Sequence, residues 1–136
     1  MNSDASYDKI KHLVEVEDDI FAVFTINTKL EMGDLSIAKN INFERNLIEN
    51  IFLHLKNYLQ KEEDEEVKIN TNISNRLGKL KWKILEYEQI RILQIFEQNK
   101  VVVVLIKSNT TLDETVDNIL GYYYDDEEHY TPKSLF

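Results

Sequence analysis

The chain has 136 residues, 43% of them hydrophobic, enough for one domain with a real core. Its 25 acidic and 16 basic side chains leave a net charge of -9, which disfavours a surface built to displace counterions from a nucleic-acid backbone or to adsorb on anionic lipid. The absence of cysteine excludes disulfides, a thiol nucleophile and any thiolate metal site.

In chain order, Tyr7, Ile10, Leu13 and Val14 share one helical face, so the spacing predicts a helix over Ser6 to Val16. Ile20 to Ile26 is apolar on both faces and rich in branched and aromatic residues, the pattern of a central strand. Asn27-Thr28-Lys29 has turn chemistry, and Leu30 to Gly33 is expected as a short second strand. The strongest helical signal is Phe43, Leu47, Ile48, Ile51, Phe52, Leu55 and Leu59, with Asn42 as the expected N-cap and Glu44 in the first turn. This helix is expected to fade into Glu62 to Glu66, where like charges adjoin, and Val67 to Ile73 alternates weakly like a strand.

Three strand signals follow in close succession. Leu80, Trp82 and Ile84 alternate with Lys79, Lys81 and Lys83, a strand with one dry and one wet face. Short turns at Glu88-Gln89 and Gln98-Asn99 lead into Ile90 to Phe96 and Lys100 to Lys107, which makes the set an antiparallel meander. Val101 to Ile106 is apolar on both faces and is expected at the centre of the sheet. Thr111 and Glu114 have capping-box spacing for a last helix, whose stripe is Leu112, Val116, Ile119 and Leu120 and whose stop is Gly121. These elements predict an α+β domain over 1–121, with 122–136 as an acidic, Tyr-rich tail.

Catalytic signatures are missing. His12, His54 and His129 lie in separate contexts without clustered ligands. Gly33, Gly78 and Gly121 are isolated, so neither a P-loop nor a dinucleotide fingerprint exists. No serine sits in a nucleophile-elbow context. The residues therefore point to a binding protein without cofactor or metal rather than an enzyme. The polar start MNSDASYDKIKHL and the shortness of the apolar run Val101 to Ile106, against about 20 residues for a span, give the cytoplasm as the expected location.

Two features suggest contact surfaces. The basic set Lys79, Lys81 and Lys83 reads either as a patch for an acidic partner or as protection of an edge strand. Tyr123, Asp125, Asp126 and Tyr130 read either as an acidic-aromatic peptide for a basic partner or, for the tyrosines, as the end of the last helix closing over the core. Trp82 is expected in the core.

The order helix, strand, strand, long helix, three-strand meander, helix resembles the roadblock (dynein light chain) group of roadblock/longin-type folds, and small archaeal proteins of the same layout. The likeness is carried by GKLKWKILEYEQIRILQIFEQNKVVVVLIKSNTTLDETVDNIL and by FAVFTINTKLEMGD before NFERNLIENIFLHL. It implies a five-stranded antiparallel sheet with helices on both faces, in the order α-β-β-α-β-β-β-α, also the layout of profilin-like proteins. It further implies a homodimer formed by the long helix and an edge strand, and a role in regulating or scaffolding a small Ras-like GTPase. On that basis Asn46, Glu49, Asn50 and Leu53, with the strand from Lys79 to Leu85, would form the dimer contact. One departure is that Asn27-Thr28-Lys29 stands where the family usually has a glycine in the first hairpin turn. A different class of function, a PAS- or profilin-like sensor, would need a small-molecule cavity beneath the long helix of at least ~300 Å³.

Overall fold

A computed structural model describes the backbone of residues 2–39, 45–69 and 77–125, with side chains at 9–39, 45–61 and 77–124. The elements are α1 (Asn2–Val16), β1 (Ile20–Asn27), β2 (Met32–Ile37), α2 (Arg45–Ile69), β3 (Trp82–Glu86), β4 (Ile90–Phe96), β5 (Lys100–Lys107) and α3 (Leu112–Asp125). The strands form one antiparallel sheet in the order β2-β1-β5-β4-β3. The two strands that are apolar on both faces, β1 and β5, lie next to each other at its centre, as their composition demands.

Each face of the sheet carries its own core. On one side Ile10, Leu13 and Val14 of α1 and Ile119 and Tyr123 of α3 meet Val23, Leu93, Ile95, Val102 and Val104. On the other, Ile48 and Leu55 of α2 meet Ala22, Phe24, Ile26, Ile92, Val103 and Leu105. Period-two alternation sends successive side chains of β1, β4 and β5 into different cores. Burying each Val, Leu, Ile or Phe side chain contributes about 1.5–3 kcal/mol.

The first hairpin differs from the expected one. Asn27 Oδ1 accepts the N–H groups of Lys29 (2.9 Å) and Glu31 (3.0 Å), and Asn27 O accepts from Leu30 N (2.9 Å). Residues 28–31 are thereby tied into the turn, and β2 spans Met32–Ile37 instead of starting at Leu30. With no glycine in the turn, Leu30 itself takes the left-handed conformation (φ 62°). Its half-buried side chain packs on the α2-side core, which offsets a backbone cost of about 1–2 kcal/mol. Beyond the turn the β1–β2 register shifts between Phe24 and Ile26. There Thr25 Oγ1 accepts the Asp34 N–H at 2.9 Å, and a Cβ on Gly33 would lie 2.5 Å from that same oxygen. A glycine is required by this close approach.

Helix α2 does not fade at Glu62 to Glu66 but continues to Ile69. Glutamate is a good helix former, and the like-charge pairs at i,i+3 and i,i+4 within the run cost only about 0.2–0.5 kcal/mol each, so the acidic run can continue the helix. Val67 to Ile69 are accordingly helical rather than extended, while 70–73 lie outside the described residues, as do Asn42, Phe43 and Glu44. At the other end of the chain Thr111 O accepts the first bond of α3 from Thr115 N (2.9 Å), and the Glu114 N–H is taken by Asp113 Oδ1 at 3.2 Å. The helix does not stop at Gly121. It runs to Asp125 because Tyr123 enters the core, and its hydroxyl donates to the Glu97 carboxylate. Tyr122 bonds His12 Nδ1 of α1 at 2.8 Å. The proposed boundary after residue 121 therefore falls inside a helix.

Two buried polar side chains were not anticipated. Arg91 donates to Glu86 Oε1 (2.6 Å) and, through Nη1, to Thr110 O (2.7 Å) and Oγ1 (2.9 Å). Gln94 is 1% exposed and its Oε1 has no hydrogen-bond partner.

Gln94→Met removes an unsatisfied buried carbonyl at similar volume, so it should raise unfolding stability by about 1 kcal/mol in urea titrations. Gly33→Ala should lower the same quantity by about 1–3 kcal/mol, because Thr25 must shift within a tight bulge. For Tyr123, loss of the hydroxyl alone (Tyr123→Phe) should cost about 1 kcal/mol, and truncation to Ala about 3–5 kcal/mol.

Candidate protein-interaction surface

The residues expected to make contacts divide among several places. Asn46, Glu49, Asn50 and Leu53 all sit on the exposed face of α2, Leu53 at 53% exposure, and Glu49 lies 4.0 Å from Arg45 one turn earlier. Lys79 and Lys81 precede β3, which begins at Trp82. Lys81 Nζ stands 4.9 Å from the Tyr124 ring on α3, whereas Lys83 Nζ stands 5.9 Å from the Phe96 ring. The three lysines therefore do not form one stripe, since aromatic partners draw two of them to different places. Tyr123 is a core residue at 3% exposure and not a tail contact. Asp125 ends α3, and Asp126 and Tyr130 lie outside the described residues.

Trp82 is not in the core. It is 39% exposed at the sheet edge, and Leu80 before it is 61% exposed. The alternation placed both on a dry face, yet an outermost strand has a neighbour on one side only, so its ends are not covered. Trp82 shares the face of its partner Ile95, the α1/α3 side of the sheet; on the opposite face Leu47 of α2, assigned by spacing to the buried face, stands open with Tyr58. His54 Nε2 lies 3.2 Å from Tyr87 Oη in the β3–β4 turn, and its ring meets Tyr58 edge-on at 5.0 Å. Leu47, His54 and Tyr58 recur at helical spacing, so α2 turns an aromatic-apolar flank toward the β3 side of the sheet. A very wide apolar arc over Leu47 to Leu59 was the signal available in the sequence; a single buried face needs less.

Beside that flank, β3 is an open edge. Phe96 N donates to Lys81 O and Tyr87 N to Ile90 O, both at 2.9 Å. The phase of the ladder then turns the N–H and C=O groups of Trp82, Ile84 and Glu86 away from β4. Open backbone groups beside exposed apolar side chains suit pairing with another chain.

The chemistry of the remaining groups is sparse. His12 contacts α3 on one face of the sheet and His54 contacts the β3–β4 turn on the other, so the fold keeps them apart. Among the described residues no three His, Cys, Asp or Glu side chains gather as metal ligands. Burial first, and the Glu97 carboxylate next, push the Tyr124 hydroxyl above its usual pKa. Beneath α2, Ile48 and Leu55 sit directly on the sheet. The opening near its Leu59 and the strained Leu30 is about 240 Å³, smaller than a typical small-molecule pocket of ~300 Å³ or more. No described helix is long and apolar enough to cross a membrane.

No protein-family model and no curated protein sequence matches the chain. Solved structures do. A Roadblock/LC7 domain from Streptomyces avermitilis superposes with a TM-score of 0.57 at 6% identity, covering 86% of this chain and 90% of that one. Myxococcus xanthus MglB gives 0.57 at 11% identity, with 88% and 89% covered. The gliding protein MglB from Thermus thermophilus gives 0.62 at 8% identity, with 93% and 91% covered. The element order, the sheet topology and these superpositions agree: the chain has the roadblock/LC7 fold.

Proposed function

We propose that this chain is a non-catalytic interaction module of the cytoplasm that pairs with a second copy of itself and regulates or scaffolds a small Ras-like GTPase. The observation that carries the reading is the open β3 edge with exposed apolar side chains on both faces beside it, Tyr58 of α2 on one and Trp82 on the other. A second copy applied there would extend the sheet and cover those side chains together. Asn46, Glu49, Asn50 and Leu53 would line the helical part of the contact, with Lys79, Lys81 and Lys83 along the strand. The GTPase part rests on the roadblock likeness and is the less direct of the two, since a fold hosts more than one function.

Light scattering at micromolar concentration should give about twice the 16.1 kDa mass of the chain. Ile84→Pro, which removes an outward N–H without touching a ladder bond, should shift the protein to monomer, as should Leu53→Glu. A wild-type monomer would rule out the pairing. For the GTPase, the dimer immobilised against lysate of the native organism should retain a small GTPase that mass spectrometry identifies, and the Leu53→Glu variant should not; recovery of none would leave an interaction module with some other partner.

A further inference from the structure

The corner where β3 begins and α3 ends lies on the α1/α3 face of the sheet. Trp82 opens the strand there opposite Ile95, and Lys81 O accepts the Phe96 N–H at 2.9 Å. Helix α3 reaches the same corner with its last turn. The Tyr123 hydroxyl donates to Glu97 just past β4, and Lys81 Nζ stands 4.9 Å from the Tyr124 ring. Leu80, Trp82 and Tyr124 are all exposed. One exposed apolar side chain is ordinary, but three at one corner with lysines beside them make a docking surface.

The charge at the end of α3 says what would occupy it. Asp125 ends the helix and Asp126, Glu127 and Glu128 follow, with no basic side chain in the last turn. A helix C-terminus is the negative end of the macrodipole, so carboxylates there are misplaced unless cations from elsewhere answer them. Glu97 adds one more carboxylate at this point. The cations that the fold brings to the corner are Lys81, at the Tyr124 ring, and Lys79, two residues earlier. Past the acidic residues come Tyr130, Leu135 and Phe136, so the sequence supplies first the charge and then the apolar groups that the corner accepts. At ~3.3 Å per residue, 126–136 can reach about 36 Å, ample for a surface that touches the helix end.

We propose that residues 126–136, which lie outside the described residues, fold back over this corner of their own chain. Asp126, Glu127 and Glu128 face Lys79 and Lys81, and Tyr130, Leu135 and Phe136 cover Leu80 and Trp82. The tether at the end of α3 gives the segment a millimolar effective concentration, so contacts too weak for a separate peptide suffice. One consequence rests on the pairing proposed above. Trp82 belongs to the surface that a second copy would cover, so the docked segment and the second copy exclude each other. The acidic segment then sets how readily the chain dimerises.

Trp82 is the single tryptophan of the chain, so its fluorescence reads the corner directly. Acrylamide quenching is measured on the full chain, diluted until light scattering gives a monomer. Reversing the acidic run (Asp126→Lys, Glu127→Lys, Glu128→Lys) should raise the quenching constant at least about twofold, as should salt at about 1 M. Lys79→Glu with Lys81→Glu should do the same. All five changes together should restore protection, which simple damage to the fold would not. The assignment is overturned by unchanged quenching in the acidic-run variant or by no recovery in the combined one. Protection that is absent from the dilute protein and appears only on concentration overturns it too, because a second copy then covers Trp82. Dimerisation is read separately: the acidic-run variant should dimerise at a concentration at least about threefold lower than the wild type. If neither dimerises, the pairing fails while the quenching still decides the docking.

Discussion

The architecture depends on one constraint: two adjacent strands, β1 and β5, have no wet side. Ala22, Val23, Phe24 and Ile26 of one strand and Val102 to Ile106 of the other are all buried, on both faces of the sheet. Either face left open would expose a slab of branched aliphatic side chains, so cover is needed above and below. The long helix α2 supplies it on one face. The opposite face is shared by two shorter helices from the two ends of the chain, which is why α1 and α3 meet there, as in the Tyr122–His12 contact, although more than ninety residues separate them.

Polar contacts decide how α3 lies on its face. Near its start, Arg91 of β4 grips both the carbonyl and the hydroxyl of Thr110 while also holding Glu86 on the neighbouring strand. Near its end, the Tyr123 hydroxyl meets Glu97 in the β4–β5 turn, and Lys9 of α1 stands 4.1 Å above the Tyr123 ring. The helix is thus tied at both ends to the meander it covers. A buried guanidinium needs charge and carbonyl partners to be tolerated, and here the same partners fix the helix start. The apolar contacts between these anchors set the distance of the helix from the sheet, and the polar ones set its direction along it.

Much of this was legible in the residues. The both-faced apolar runs gave the central strands, turn lengths gave the antiparallel meander, and helical spacing gave α1 and the part of α2 from Leu47 to Leu59. What stayed hidden was where elements end and which edge residues are covered. The acidic run stays helical because helix propensity outweighs charge repulsion that water screens. Gly121 is passed over because Tyr122 and Tyr123 gain tertiary contacts beyond it, and local cap chemistry does not see those. Trp82 and Leu80 were placed inside because alternation tells which face a side chain takes, not whether anything covers that face. Of the helical residues, Asn46, Glu49, Asn50 and Leu53 are exposed on α2, while the place of Tyr87 and Tyr58 depends on the way α2 crosses the β3–β4 turn, which no spacing rule encodes.

Both borders of the sheet present outward backbone groups, at Leu35 and Ile37 on one side and Trp82, Ile84 and Glu86 on the other. Four inter-strand spacings, about 19 Å, lie between them. A body of this kind has a valence of two, and head-to-tail joining of unlike borders grows into an open filament unless its rotation closes a ring. Chains that meet border to border through a two-fold axis end after one step only if the remaining borders refuse each other. The unlike dressing of the two borders, aromatic and lysine-bearing at β3 but uncharged from Leu35 to Ala38 at β2, makes them poor mates, and so sets a limit on growth.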